Sequence, residues 1–260
     1  MLSQAEREQA VAALLKANQD KIQTTRPSAL SPHIDFDDAY AISAAVAERQ
    51  IAAGAKLIGY KVGLTSIAMR RSSKIDEPDY GYLYDYMLHQ DGVSLAHKDF
   101  CVPRVELELA FVLKTDLKGP GVTMLDVLRA SEYVVPAIEI IDARVDEPRK
   151  IFDTIADNGA GAGIILGGRP VRPFDIDLRN IPGVLWRNTD IEETGVSCGV
   201  MNHPANGVAW LANKLAALDL PLRAGHILLA GSFVRPVWAE PGDTFRADFA
   251  DLGSVSLRFI

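Results

Sequence analysis

The chain predicts an α+β fold in which strands dominate, and three observations carry that expectation. After about residue 56 most apolar runs are short and alternate with period two, as half-buried strands do. The first 56 residues instead show helical spacing. Helical runs interrupt the strands irregularly, with no regular βαβ repeat that would imply a parallel doubly wound sheet. The reading is therefore a helical N-terminal part, residues 1–56, leading into a β-rich part, residues 57–260, as one continuous structural unit.

The elements follow in order. Residues 3–22 form an amphipathic helix with Ala10, Ala13, Leu14 and Leu15 in its apolar stripe. A second helix spans 37–53, capped by Asp37 or Asp38 and ended by Gly54. Strands are expected at 58–64, 105–113, 134–142, 163–167, 184–187, 227–231, 233–238, 244–249 and 254–260. Helices are expected at 124–132, capped by Thr123, and at 203–218, where Val208, Leu211 and Leu215 share a face. Asn188–Asp190 reads as a hairpin turn. EPDYGYLYDY, 77–86, reads as a loop.

Composition narrows the function. The 260 residues are 48% hydrophobic with a formal net charge of −7, which argues against broad nucleic-acid binding. Cys101 and Cys198 are too few for a disulfide framework, so a reduced, cytoplasmic setting is the default. No apolar run approaches the ~18 residues of a membrane span. The N-terminal stretch contains Glu6, Glu8 and Asp20 and lacks the apolar core of a signal peptide.

Several familiar sites are missing. NGAGAGIILGG, 158–168, fails the G-x-G-x-x-G spacing and is better read as a tight turn feeding a buried strand. His33, His89, His97, His203 and His226 show no zinc spacing with each other or with the cysteines, and His203 before Pro204 suits a helix start. There is no G-x-S-x-G elbow.

The chemistry lies in RVELELAFVL, 104–113. Period two puts Glu106 and Glu108 on one strand face, roughly 7 Å apart along the chain. Such a pair is either a solvated edge or a cation site. A third acid, Glu139 in the apolar run VVPAIEIIDARV, favours the cation: a carboxylate between Ile138 and Ile140 needs a partner or a metal. Three acids on two strands make an all-oxygen site suited to magnesium. In GYKVGLTS, 59–66, Lys61 sits in an apolar strand, where it either snorkels to the surface or faces the acids. Asp79, within a Pro-Asp-x-Gly loop, is ordinary turn chemistry when taken alone.

Taken together these stretches resemble the fumarylacetoacetate hydrolase superfamily, in its hydratase and decarboxylase branch. The ordered matches are KVGLTS at 61–66, EPDYG at 77–81, VPRVELELAFVL at 102–113, VVPAIEIIDAR at 134–144, FDTIADN at 152–158, NHPANGVAWLANKL at 202–215, GSFVRPV at 231–237 and GDTF at 242–245. The resemblance implies a mixed, strongly curved β-roll or sandwich flanked by helices, and homo-oligomers. It implies Mg2+ or Mn2+ on Glu106, Glu108 and Glu139, with Lys61 and Asp79 as catalytic residues. The reaction it implies is water addition at carbon 4 of a small 2-oxo-enoic acid, a seven-carbon dioate in the preferred reading. That places the protein in aromatic catabolism, in homoprotocatechuate degradation. Lys61 would stabilise negative charge on the substrate. Asp79 would move protons, its pKa raised by Tyr80 and Tyr82. Ser232 is a candidate for the substrate carboxylate, and Arg235 or Arg70 for the distal one. The alternatives are a 2-oxopent-4-enoate hydratase, a 4-oxalocrotonate decarboxylase, an acylpyruvate hydrolase and a non-catalytic assembly partner. The segment between Arg144 and Phe152 is shorter than this group's pattern, which leaves open any contact from it over the site.

Overall fold

A computed structural model describes residues 1–73 and 75–260. Among the described residues there are seven α-helices: α1 Gln4–Asp20, α2 Pro27–Leu30, α3 Phe36–Ala52, α4 Ile67–Ser73, α5 Met124–Ala130, α6 Ile151–Ala156 and α7 Pro204–Ala216. The strands are β1 Leu57–Gly63, β2 Asp79–Tyr84, β3 Leu88–Gln90, β4 Val93–Leu95, β5 Pro103–Leu113, β6 Ser131–Asp142, β7 Gly161–Leu166, β8 Pro182–Arg187, β9 Asp190–Val196, β10 Ile227–Leu229, β11 Val237–Trp238, β12 Thr244–Asp248 and β13 Ser254–Phe259.

They form two mixed sheets, so the expected α+β class holds. The larger, curled sheet runs β2-β1-β10-β5-β6-β7-β3, with β11 also on β5. The smaller runs β4-β13-β12-β8-β9. Parallel pairs, β1 with β10 and β3 with β7, interrupt an otherwise antiparallel larger sheet. Leu107, Leu109 and Phe111 are fully buried on the face of β5 turned away from its two glutamates. Gly183 of β8 lies so close to Leu107 that any side chain there would collide with it. The smaller sheet thus closes one face of the larger sheet and leaves the glutamate face for the site.

The N-terminal helices build a satellite core. Ala10, Val11 and Leu14 of α1 and Ala39 and Ile42 of α3 pack with Val145, Ile155 and Ala156. Asp35, rather than Asp37 or Asp38, caps α3, in a reciprocal box with Asp38. Asp38 is buried because it also accepts hydrogen bonds from Arg7 at 2.7 Å and from the Leu2 N–H at 2.9 Å. A side chain tied to a distant segment cannot be told from a cap by sequence spacing.

Residues 77–86 correct the loop expectation, since Asp79–Tyr84 is a strand buried throughout. The Pro-Asp-x-Gly signal suggests a turn, but tertiary packing overrides it. Tyr40 of α3 stacks on Tyr80 at 4.8 Å. On the opposite face Gly81 lets the Asn158 carbonyl pack against the strand. Asn158 accepts the Tyr82 N–H at 2.7 Å and donates to the Tyr82 carbonyl at 3.0 Å. Residues 233–238 are strand only at Val237–Trp238, and the short β3 and β4 carry too few residues to show a period.

Arg144 joins the satellite core to the main sheet. It is buried, with Nε 2.6 Å from Asp157 Oδ1, and it donates to the Gly161 carbonyl at 2.9 Å. Burial pushes the Asp157 carboxyl up to about 6, against the pull of Arg144. Arg144→Met would strand that carboxylate in the interior. A loss of about 3–5 kcal/mol in urea unfolding is expected; a loss below about 1 kcal/mol would show that the pair holds nothing together.

Candidate active site and metal centre

Five strands of the larger sheet assemble the site. Glu106 of β5 and Glu139 of β6 are direct cross-strand partners, so their side chains leave the sheet on one face. Glu108 follows on that face two residues along. Carboxylate oxygens of Glu106, Glu108 and Glu139 lie within 4.8 Å of one another. Lys61 on β1 is joined to β5 through β10. Its Nζ donates to the Gly159 carbonyl at 3.0 Å and lies 3.4 Å from Glu139 Oε1.

Two glycines make this approach possible. A Cβ on Gly63, beside Asp79 in the β1–β2 register, would lie 2.1 Å from Asp79 Oδ1. Gly159 has φ +59°, a left-handed conformation that favours glycine, and a Cβ there would press on the Lys61 stem at 3.2 Å. The turn that the glycine-rich stretch predicted is therefore also the one that holds Lys61.

The electrostatics set the roles apart. Burial works against the Lys61 charge, but Glu139, Asp79, Glu106 and Glu108 outweigh it and hold its pKa above the ordinary lysine value. The ammonium is a fixed cation. Asp79 is 1% exposed, and its pKa is raised by burial, opposed by Lys61 and by the Gly63 N–H. Tyr80 and Tyr82 are not the cause, because strand alternation sends them to the other face of β2. Burial, then Glu139, pushes the Glu106 carboxyl up to about 7, opposed by Lys61 and Arg104. Burial and the two neighbouring glutamates push Glu108 well above its ordinary value, although its Oε2 accepts the Gly231 N–H at 2.8 Å.

The residues fit a hard divalent cation. Glu139 is fully buried and, among the described residues, neither of its carboxylate oxygens has a hydrogen-bond partner. Buried polar groups are seldom left that way, and a cation among three carboxylates supplies what is missing. A pH dependence follows. The folded-state pKa of Glu106 is raised from 4.5 to about 7. The metal-free fold therefore binds more protons than the unfolded chain between these values and loses stability as pH rises through that window. Saturating Mg2+ should abolish that slope in thermal unfolding at pH 5 to 8. A metal-free stability that is flat or rising there would contradict the raised carboxyl.

A cavity of about 550 Å³ opens over the cluster. Lys61, Asp79, Glu106, Glu108, Ser232 and Arg235 line it, and Glu139 lies beneath them within reach of Lys61. Arg70 is not on its wall, although Ala68 and Met69 of the same helix are. The Ser232 hydroxyl lies 2.9 Å from the Val234 carbonyl and accepts the Val234 N–H at 3.2 Å, so it braces its own turn. The Arg235 guanidinium meets Glu193 at 2.6 Å and its side chain is 78% exposed. Two cations that sequence reasoning passed over, Arg104 and Arg149, also line the cavity. Arg104 had a signal, the same alternation that selects Glu106 and Glu108. Arg149 had none, and it comes from the short segment after Arg144, which does reach the cavity. Burial and the adjoining Arg149 charge lower the Arg104 pKa, with Glu106 and Glu147 opposing.

A curled mixed sheet that clusters three carboxylates beside a buried lysine and a buried aspartate is an arrangement that could hold a divalent cation next to acid–base groups. The chain belongs to the fumarylacetoacetate hydrolase family: the model for the C-terminal part of fumarylacetoacetate (FAA) hydrolase matches residues 70–260. It is 55% identical over 236 residues to 2-oxo-hept-4-ene-1,7-dioate hydratase of Escherichia coli, covering 88% of each chain. It is 39% identical over 231 residues to 2-hydroxyhexa-2,4-dienoate hydratase of Comamonas testosteroni, again covering 88% of each. The structure of 4-oxalocrotonate decarboxylase from Pseudomonas putida G7, complexed with magnesium and adipate, superposes with a TM-score of 0.94 at 33% identity, over 100% of this chain and 99% of that one.

Proposed function

We propose that the protein is a magnesium-dependent hydro-lyase that adds water to a seven-carbon 2-oxo-enedioate to give 4-hydroxy-2-oxoheptanedioate. One observation carries the chemistry: the buried acid cluster lies against a fixed cation, Lys61, 3.4 Å from Glu139, and next to a buried aspartate whose pKa is raised. The likeness to the E. coli hydratase supports the substrate. Glu106, Glu108 and Glu139 would hold Mg2+ or Mn2+, which when bound polarises the 2-oxo carbonyl as a Lewis acid.

The chain's own residues do the rest. Negative charge gathers on the 2-oxo oxygen as water attacks carbon 4, and the buried Lys61 ammonium stabilises it without reorganising. Asp79 takes the proton that the attacking water gives up, and carbon 3 is protonated to complete the addition. From a 4-ene, as in the name of the E. coli relative, one proton must first leave carbon 3 and another arrive at carbon 5. This gives the conjugated 3-ene and is work of the same kind for Asp79. Ser232 is proposed to shape the substrate's carboxylate end through its braced turn. Homo-oligomerisation, a cytoplasmic setting and a place in homoprotocatechuate breakdown go with this reading. Among the described residues no helix is long and apolar enough to cross a membrane.

The near-identical fold of a decarboxylase supplies a second reading, loss of CO2 from a six-carbon enedioate. Mass analysis after incubation with Mg2+ and five-, six- or seven-carbon 2-oxo-enoates separates the two. Gain of one water is expected, with the seven-carbon dioate favoured about 10- to 150-fold over the five-carbon monoacid, the worth of one charge-assisted hydrogen bond. Loss of CO2 without hydration would replace the proposal by the decarboxylase.

A further inference from the structure

The acid cluster occupies one part of the cavity, and another part is cationic. Arg104 shares the strand face of Glu106 and lies two residues away, about 7 Å along β5. Its guanidinium carbon sits 4.7 Å over the Trp238 ring. Its Nε is buried with no hydrogen-bond partner among the described residues, a donor left waiting for an acceptor. The Arg149 side chain is 11% exposed and keeps one ion pair, to a Glu147 that is 60% exposed. The two guanidinium groups lie side by side here, facing the exposed Glu147 and the Glu106 of the acid cluster. Arg235 is already engaged by Glu193 in the open, and Arg70 lies off the wall.

We infer that Arg104, with Arg149 as its neighbouring cation, receives the distal carboxylate of a dicarboxylic substrate, and that this pair rather than Arg235 or Arg70 sets the preference for a dioate. The inference rests on the hydratase reading for the identity of the substrate. A guanidinium fork accepts a carboxylate in a two-pronged geometry that lysine cannot copy. The strand itself is the ruler. With one end of the substrate at Glu106 and the other at Arg104, a chain without a second carboxylate leaves the Arg104 donor unmet.

The test uses the full, magnesium-loaded protein and two variants, Arg149→Gln and Arg104→Lys, the second keeping both charge and stem over Trp238. For each, kcat/KM is measured on the seven-carbon 2-oxo-enedioate and on the five-carbon 2-oxopentenoate. The dioate-to-monoacid ratio should fall about 10- to 150-fold, chiefly through KM for the dioate. Equal losses on both substrates would overturn the assignment, as would a ratio held within about threefold in both variants. A collapse of the ratio in Arg235→Gln in place of these variants would overturn it as well. Calorimetric titration of heptanedioate and hexanoate adds an arm that needs no turnover. If the wild-type protein hydrates neither substrate, the hydratase reading falls alone. The arginine pair is then still judged: heptanedioate should bind Arg149→Gln more weakly by the same factor, and unchanged binding overturns it.

Discussion

Glu139→Gln should abolish turnover and weaken magnesium binding by at least about 100-fold, beyond the usual cost of losing a mere supporting partner of a ligand. Glutamine keeps the size of the side chain and removes the charge. Glu139 has no exposure and, among the described residues, no hydrogen bond to either oxygen, and Lys61 at 3.4 Å is one positive charge against three carboxylates, so a metal ion held there would lose a ligand that the protein does not replace. Glu106→Gln should behave alike, because the two face each other across β5 and β6. A folding role makes the opposite forecast for the metal-free protein. With one buried negative charge gone, repulsion among the carboxylates falls while Lys61 keeps Asp79, Glu106 and Glu108 as counter-charges, so metal-free Glu139→Gln should unfold no more easily than metal-free wild type. Wild-type activity together with wild-type magnesium affinity in either variant would rule out the three-glutamate site.

Asp79→Asn should lower hydration by about 10²- to 10⁴-fold, the usual contribution of a general acid–base group, with magnesium affinity nearly unchanged. Asparagine retains the shape and can still accept the Gly63 N–H, but it cannot take up or release a proton at neutral pH. Asp79 is buried and lies outside the 4.8 Å cluster, which is why its loss should spare the metal. Burial raises its pKa, and the pH–rate profile of the variant should lack the limb that Asp79 supplies. A normal hydration rate in the variant, or a failure traceable only to lost metal, would remove Asp79 from the mechanism.

Part of this site was readable from local pattern. Glu106, Glu108 and Glu139 stand out because period-two alternation puts acids into runs that are otherwise apolar. Lys61 stands out for the same reason. Asp79 was legible only through the family resemblance, since a Pro-Asp-x-Gly stretch looks like a turn until Tyr40 from one side and Asn158 from the other turn it into a buried strand. The arginines show the reverse. Arg235 and Arg70 are cations that the sequence offers for a distal carboxylate, yet Arg235 meets Glu193 and Arg70 is off the cavity wall.

By itself the sequence determined the α+β class, the main strands and the shared face of Glu106 and Glu108, all of which follow from side-chain period within single elements. Only the tertiary structure decided that Glu139 faces Glu106, that Gly159 holds Lys61, that Gly63 makes room for Asp79, and that Arg149 joins Arg104 at the far wall. Register, close approach and burial depend on segments separated by tens of residues. A local pattern says which way a side chain leaves its own strand and carries no information about what it meets there.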